Sequence, residues 1–102
     1  MPKVGRKEDF PEGKARAVEV NGLSIVICHV EGGEFYAVED RCSHDDEELG
    51  GAELEGCEIV CPRHAARFDV RDGTVSAPPA IYPIDTYEVT VRHGEVFVEI
   101  EE

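Results

Sequence analysis

Two cysteines and two histidines stand in a paired pattern inside RCSHDDEELGGAELEGCEIVCPRHAARF, residues 41–68. One residue separates Cys42 from His44, and two separate Cys61 from His64. Thiolates and imidazoles are soft and borderline ligands, and together they favour zinc, copper or iron–sulfur chemistry. Two arrangements use two of each: a structural zinc site closed as a tetrahedron, and a [2Fe–2S] cluster in which two histidines replace two cysteines on one iron. Zinc modules usually keep like with like, as C-x(2–4)-C and H-x(3–5)-H. Here each half supplies one thiol and one imidazole, so two similar loops would each give one ligand to each of two irons.

The remaining thiols and imidazoles lack such partners. Cys28, in the apolar run SIVICHV, reads as a small buried hydrophobe. Cys57 precedes EIV and lies four residues before Cys61; it reads as a strand position with a packing role, not a ligand. His29 falls on a strand and His93 at a turn, neither with a partner at ligand spacing, so both read as structural or exposed.

The elements that must hold the pairs read as strands. Asn21-Gly22, Gly32-Gly33, Asp72-Gly73 and His93-Gly94 are turn signals, because glycine reaches positive φ without steric cost. Between them, KARAVEV leads into LSIVICHV and then EFYAVED. In TYEVTVR, Tyr87, Val89 and Val91 share one face; after the last turn, Val96, Val98 and Ile100 share another. That period of two predicts antiparallel strands with one packed and one wet face. No window supports a ten-residue helix; DDEELG at most makes one helical turn ended by Gly50. SAPPAIYP, residues 76–83, reads as a stiff loop because its three prolines fix φ and remove donors. The fold class is all-β, a small antiparallel sandwich or barrel.

A chain of 102 residues is one domain with a modest core, to which a bound cofactor would add stability. No stretch approaches the ~20 apolar residues of a membrane span, and MPKVGRKEDF has neither the apolar segment nor the cleavage site of a secretory signal. The expected compartment is the cytoplasm, where thiols stay reduced and cysteine beside histidine points to metal. The net charge of −13 opposes binding to nucleic acid and suits docking onto a basic protein patch.

The boxes CSH and CPRH resemble the two ligand boxes of Rieske iron–sulfur proteins. The longer run CPRHAARFDVRDGTVSAPPAIYPIDTYEVTV is similar to the soluble Rieske ferredoxins of bacterial ring-hydroxylating oxygenase systems. The likeness runs from about FYAVEDRCSH to the C-terminus and includes the proline-bearing loop, which in that family packs over the cluster. It implies a Rieske-type domain over residues 1–102, with a cluster-binding part of two loops at about 40–82 and base β-structure from the rest. It also implies one [2Fe–2S] cluster per chain, with Cys42 and Cys61 on the buried iron and His44 and His64 on the outer iron near solvent. Rieske potentials span roughly −150 to +300 mV, against about −400 mV for plant-type ferredoxins.

High-potential members of the family carry C-x-H-x-x-C and C-P-C-H-G-S-x-Y. In this chain their two extra cysteine positions are Glu47 and Arg63, so the disulfide of that group cannot form. The serine and tyrosine positions are Ala66 and Phe68, so two hydroxyl donors toward the cluster are missing. Hydrogen bonds to sulfur favour the reduced state, and their loss lowers the potential. The carboxylates of Asp40, Asp45 and Asp46 act in the same direction. The low end of the range is expected. An ion pair between Glu47 and Arg63 would tie the loops where the disulfide is lost, and Ala65 replaces the usual glycine after the second histidine.

The resemblance implies an electron carrier that is not catalytic alone. It would pass single electrons from an NAD(P)H-dependent flavoprotein reductase to a terminal oxygenase, and a monomer is the simplest state for a carrier that meets two partners. Two alternatives stand: the small Rieske subunit of an assimilatory nitrite reductase, and, from another class, a structural zinc module. No nucleophile–base pair, glycine-rich phosphate loop or paired-carboxylate signature appears.

Overall fold

The computed structural model of the chain describes residues 2–41, 49, 52–61, 66–78 and 83–100. Eleven strands lie along these residues: β1 (Lys3–Arg6), β2 (Lys14–Val20), β3 (Leu23–His29), β4 (Phe35–Glu39), β5 (Glu53–Glu55), β6 (Glu58–Val60), β7 (Arg67–Asp69), β8 (Val75–Ala77), β9 (Thr86–Tyr87), β10 (Val89–Arg92) and β11 (Glu95–Val98). They form three sheets, ordered β1-β11-β10, β2-β3-β4-β9 and β5-β6-β7-β8. Every pairing is antiparallel.

The turn signals act as their chemistry dictates. Asn21 and Gly22 both take positive φ, 51° and 82°, as do His93 and Gly94 at 52° and 76°. Two successive left-handed residues give a turn whose twist matches that of the flanking strands. Accordingly β2 and β3 pair without a slip from Lys14↔His29 to Val20↔Leu23, and β10 and β11 pair from Val89↔Val98 to Arg92↔Glu95.

The apolar side chains sort into two cores, one on each face of the β2-β3-β4-β9 sheet. Ile25, Ile27 and Ala37 pack with Phe10, Val20, Val96 and Val98, joining that sheet to β1-β11-β10. Val26, Cys28 and Val38 point the other way and pack with Ile59, Phe68 and Val70 of the β5–β8 region. Strand β3 therefore lacks the wet face expected of an antiparallel strand, because it is the middle of three layers, and residues 25–29 are buried without alternation.

Several expectations change. TYEVTVR is not one strand: Tyr87 pairs with Ala37 in the central sheet, the chain breaks at Glu88, and Val89 begins the pairing with β11. Val91 is 40% exposed; β10 is the outer strand of its sheet, so its far end lies beyond the core that buries the facing Val96. Ser76 and Ala77 belong to β8 and not to the proline loop. Cys57 occupies the turn between β5 and β6 instead of a strand. A 3-10 turn at Lys7–Asp9 was not foreshadowed by the sequence pattern; the Asp9 carboxylate accepts from the Arg6 N–H at 2.9 Å and fixes its start. The helical turn expected in DDEELG lies outside the described residues except for Leu49.

Candidate metal centre

Of the four residues expected to hold the cluster, Cys61 is described; Cys42, His44 and His64 lie outside the described residues. So do Asp45, Asp46, Ala65 and both members of the expected Glu47–Arg63 pair. What the structure defines is the pair of roots from which the two boxes spring.

The second box leaves the sheet at the end of β6. Cys61 is 1% exposed, and its N–H donates to the Ala66 carbonyl at 2.7 Å, joining the end of β6 to the start of β7. Ala66 leads directly into β7, which pairs with β6 through Ile59↔Phe68. Beneath, Arg67 reaches across the sheet to Glu55 and Glu58, both at 3.3 Å.

The first box leaves after β4. Asp40 closes it: the Leu49 N–H donates to its Oδ1 at 2.7 Å, and the Ser24 hydroxyl donates to its Oδ2 at 2.6 Å. The Asp40 N–H bonds the Ser24 carbonyl, and the Ala52 N–H bonds the Leu49 carbonyl. Leu49, Ala52, Cys61, Ala66 and Phe68 all belong to one buried cluster, so the two roots converge on a common dry core. This arrangement fits an iron–sulfur cluster: the candidate thiol of Cys61 is embedded in apolar surroundings, and Leu49 and Ala66, at the ends of the two segments, meet in the same core. The sequence supplies the matching thiol and two imidazoles on those loops.

The other thiols and imidazoles behave as structural groups. Cys28 is fully buried on β3, and burial pushes its thiol up to about 12. Cys57 is half-buried at one end of β6 with Cys61 at the other, so it cannot join Cys61 on one metal. Its carbonyl accepts from the Val70 N–H at 2.8 Å. His29 bonds the Phe10 carbonyl through Nδ1 at 2.7 Å and stacks on Phe35 with centroids 4.0 Å apart. With a carbonyl as acceptor, Nδ1 carries the proton. His93 is a turn residue. Among the described residues no group of three or more Cys, His, Asp or Glu side chains is placed to hold a metal.

Sequence reasoning missed the Asp40–Leu49 tie. Its signal was a single leucine after four acidic residues, an apolar side chain with no reason to be there unless buried.

A family model described as the Rieske [2Fe-2S] domain matches residues 1–88. The chain belongs to the Rieske [2Fe–2S] family. It is 39% identical over 94 residues to the ferredoxin component of the naphthalene 1,2-dioxygenase/salicylate 5-hydroxylase systems of a Ralstonia species, covering 92% of this chain and 89% of that one. The solved ferredoxin of carbazole 1,9a-dioxygenase from Nocardioides aromaticivorans IC177 superposes with a TM-score of 0.92 at 30% identity, over 98% of this chain and 97% of that one. A ferredoxin in a complex with the reduced oxygenase of carbazole 1,9a-dioxygenase superposes at 0.89 with 34% identity, over 96% and 100% of the two chains. The cofactor of this Rieske chain is a [2Fe–2S] cluster, and its role is that of a ferredoxin, an electron carrier and not a catalytic oxygenase. The zinc reading is thereby set aside.

Proposed function

We propose that this Rieske ferredoxin passes single electrons from an NAD(P)H-dependent flavoprotein reductase to a terminal ring-hydroxylating oxygenase. The observation that carries the reading is the near-complete mutual overlap with ferredoxin components of aromatic dioxygenase systems; one such ferredoxin is solved in complex with its oxygenase. That overlap with ferredoxin components of dioxygenase systems favours the oxygenase system over the nitrite reductase alternative. When bound, the cluster supplies a one-electron site. Cys42 and Cys61 would hold its inner iron, and His44 and His64 its outer iron. Cys61 is supported by its buried place at the second root; the other three rest on their spacing in the sequence. The cluster-binding part, about 40–82, would sit on the base formed by the remaining strands. A monomer acting in the cytoplasm suits such a carrier; no helix among the described residues is long and apolar enough to cross a membrane.

The buried side chains beside the second box bear on the potential. Ala66 and Phe68 are both 0% exposed and neither has a hydroxyl to give. Fewer hydrogen bonds to the cluster leave its reduced form less stabilised.

The test is iron and sulfide analysis, EPR of the dithionite-reduced protein, and titration of the potential on one preparation. Two irons per chain, a rhombic signal and a midpoint below zero are expected. Cys61→Ala should lose the iron. With a reductase and a terminal ring-hydroxylating oxygenase added, wild-type protein should support NAD(P)H-dependent turnover. A red-brown protein that reduces no such oxygenase would end the oxygenase assignment, and a colourless protein with one zinc would end the electron-transfer reading itself.

A further inference from the structure

We infer that Asp40 is a positioning residue for the first ligand box, acting as a carboxylate buckle between the central sheet and the loop that carries Cys42 and His44. The inference rests on the ligand assignment proposed above and adds a residue to it.

Asp40 follows β4 directly. The register Ile25↔Glu39 brings the next residue of each strand, Ser24 and Asp40, side by side at the end of the β3–β4 ladder. Two bonds join them, from the Asp40 N–H to the Ser24 carbonyl at 3.2 Å and from the Ser24 hydroxyl to Asp40 Oδ2 at 2.6 Å. The second bond fixes the side chain, and Oδ1 is thereby aimed at the Leu49 N–H, 2.7 Å away. One carboxylate thus spans the neck of the loop, with β3 on one oxygen and the loop's far end on the other.

Leu49 gives the buckle its purchase. Its side chain is 0% exposed in the core that also holds Cys61 and Ala66, and its carbonyl accepts from Ala52 at 3.0 Å. The side chain fixes how deep the loop's end sits, and the Asp40 bond fixes how near that end lies to β4. Together they set the reach of the loop toward the second box. Groups that orient metal ligands through hydrogen bonds typically carry about 10–100-fold in metal affinity. Either oxygen's function survives in asparagine, whose Oδ1 still accepts from Leu49 and whose amide donates to the Ser24 oxygen. Alanine removes both.

The experiment compares cluster-loaded wild type with Asp40→Asn, Asp40→Ala and Ser24→Ala. It measures the half-life of the visible chromophore under excess iron chelator, the EPR line shape of the reduced state and the thermal midpoint. Asp40→Ala should lose its cluster about tenfold faster and show a shifted or broadened EPR signal, whereas Asp40→Asn should stay within about threefold of wild type. Ser24→Ala, which loosens one half of the buckle, should fall between them and serves if Asp40→Ala does not load. Equal lifetimes and EPR spectra in wild type, Asp40→Ala and Ser24→Ala would overturn the inference. So would equal losses in Asp40→Asn and Asp40→Ala, which would mark the charge and not the buckle as the cause. A lower thermal midpoint in Asp40→Ala with unchanged cluster lifetime and spectrum would also overturn it, leaving a plain structural role. Wild-type protein without a [2Fe–2S] signal would instead remove the ligand assignment on which the inference stands.

Discussion

The three described cysteines divide by environment more sharply than by spacing. Cys61 stands at the root of a loop, Cys28 lies within the middle layer and Cys57 sits half-exposed in a turn. Desolvation disfavours the thiolate, and the Cys28 thiol is raised from an ordinary 9.0 to about 12. Because the folded value lies above the unfolded one, the stabilisation it reflects is complete below pH 9.0. It falls away as pH rises from 9.0 toward about 12, where the unfolded chain ionises and the folded chain does not. Tyr87 is likewise raised, chiefly by burial, and Tyr36 chiefly by its hydrogen bond with Glu34. The alkaline loss of stability therefore has several contributors. Urea midpoints of the cluster-loaded protein followed across that range should drop less steeply in Cys28→Ala than in wild type, although the variant starts lower because it leaves a cavity. Equal slopes would show that the buried thiol does not contribute. An alkylating reagent near neutral pH should label Cys57 and spare Cys28 in the folded protein.

At the scale of elements, the turns were legible and the layers were not. Asn21-Gly22 and His93-Gly94 announce tight hairpins because only residues tolerant of positive φ can make them. The break at Glu88 and the double burial of β3 depend on which sheet lies on each side, and a period of two does not record that. The boxes showed their chemistry in four residues of two types, while their roots depend on one leucine and one aspartate read only through tertiary contacts. Gly73 is the clearest case of a turn signal carrying a second meaning. It has φ +78°, its N–H donates to the Asp69 carbonyl, and its own carbonyl accepts from the Ile84 N–H. A Cβ there would lie 2.0 Å from the Ile84 carbonyl oxygen, a backbone atom. The pairing Arg67↔Ala77 places the end of β8 beside the root of the second box, so Gly73 anchors the chain that departs from that root and returns at Ile84. Gly73→Ala should cost about 3 kcal/mol or more, from left-handed strain plus the clash. Gly22→Ala, at φ +82° with no atom near its Cβ, should cost about 1–2 kcal/mol. Urea denaturation of the two variants decides, and equal losses would mean that Ile84 moves aside without cost.

Over the whole molecule the dominant feature is charge: 23 acidic against 10 basic residues, a net of −13. Some basic side chains are already engaged at home. Lys3 pairs with Glu95, Arg67 with Glu55 and Glu58, and Arg71 with Asp69 at 2.7 Å. Such exposed pairs add little to folding because solvent screens them, but they withdraw positive charge from the surface that a partner meets. The sequence concentrates further carboxylates at 45–48, directly after the first box. A carrier of this charge approaches a basic docking patch under attraction at long range and is steered toward it, and screening shortens that range to about 10 Å at 0.1 M salt. The second-order rate of electron transfer to the oxygenase should therefore fall by about tenfold or more between low and high ionic strength, with most of the change in the association step. Stopped-flow oxidation of the reduced ferredoxin across a salt series measures it. Charge reversal of 45–48 to lysine should slow the low-salt rate toward the high-salt value and flatten the dependence. A wild-type rate indifferent to salt would mean that docking depends on shape and apolar contact, with the acidic surface serving solubility alone.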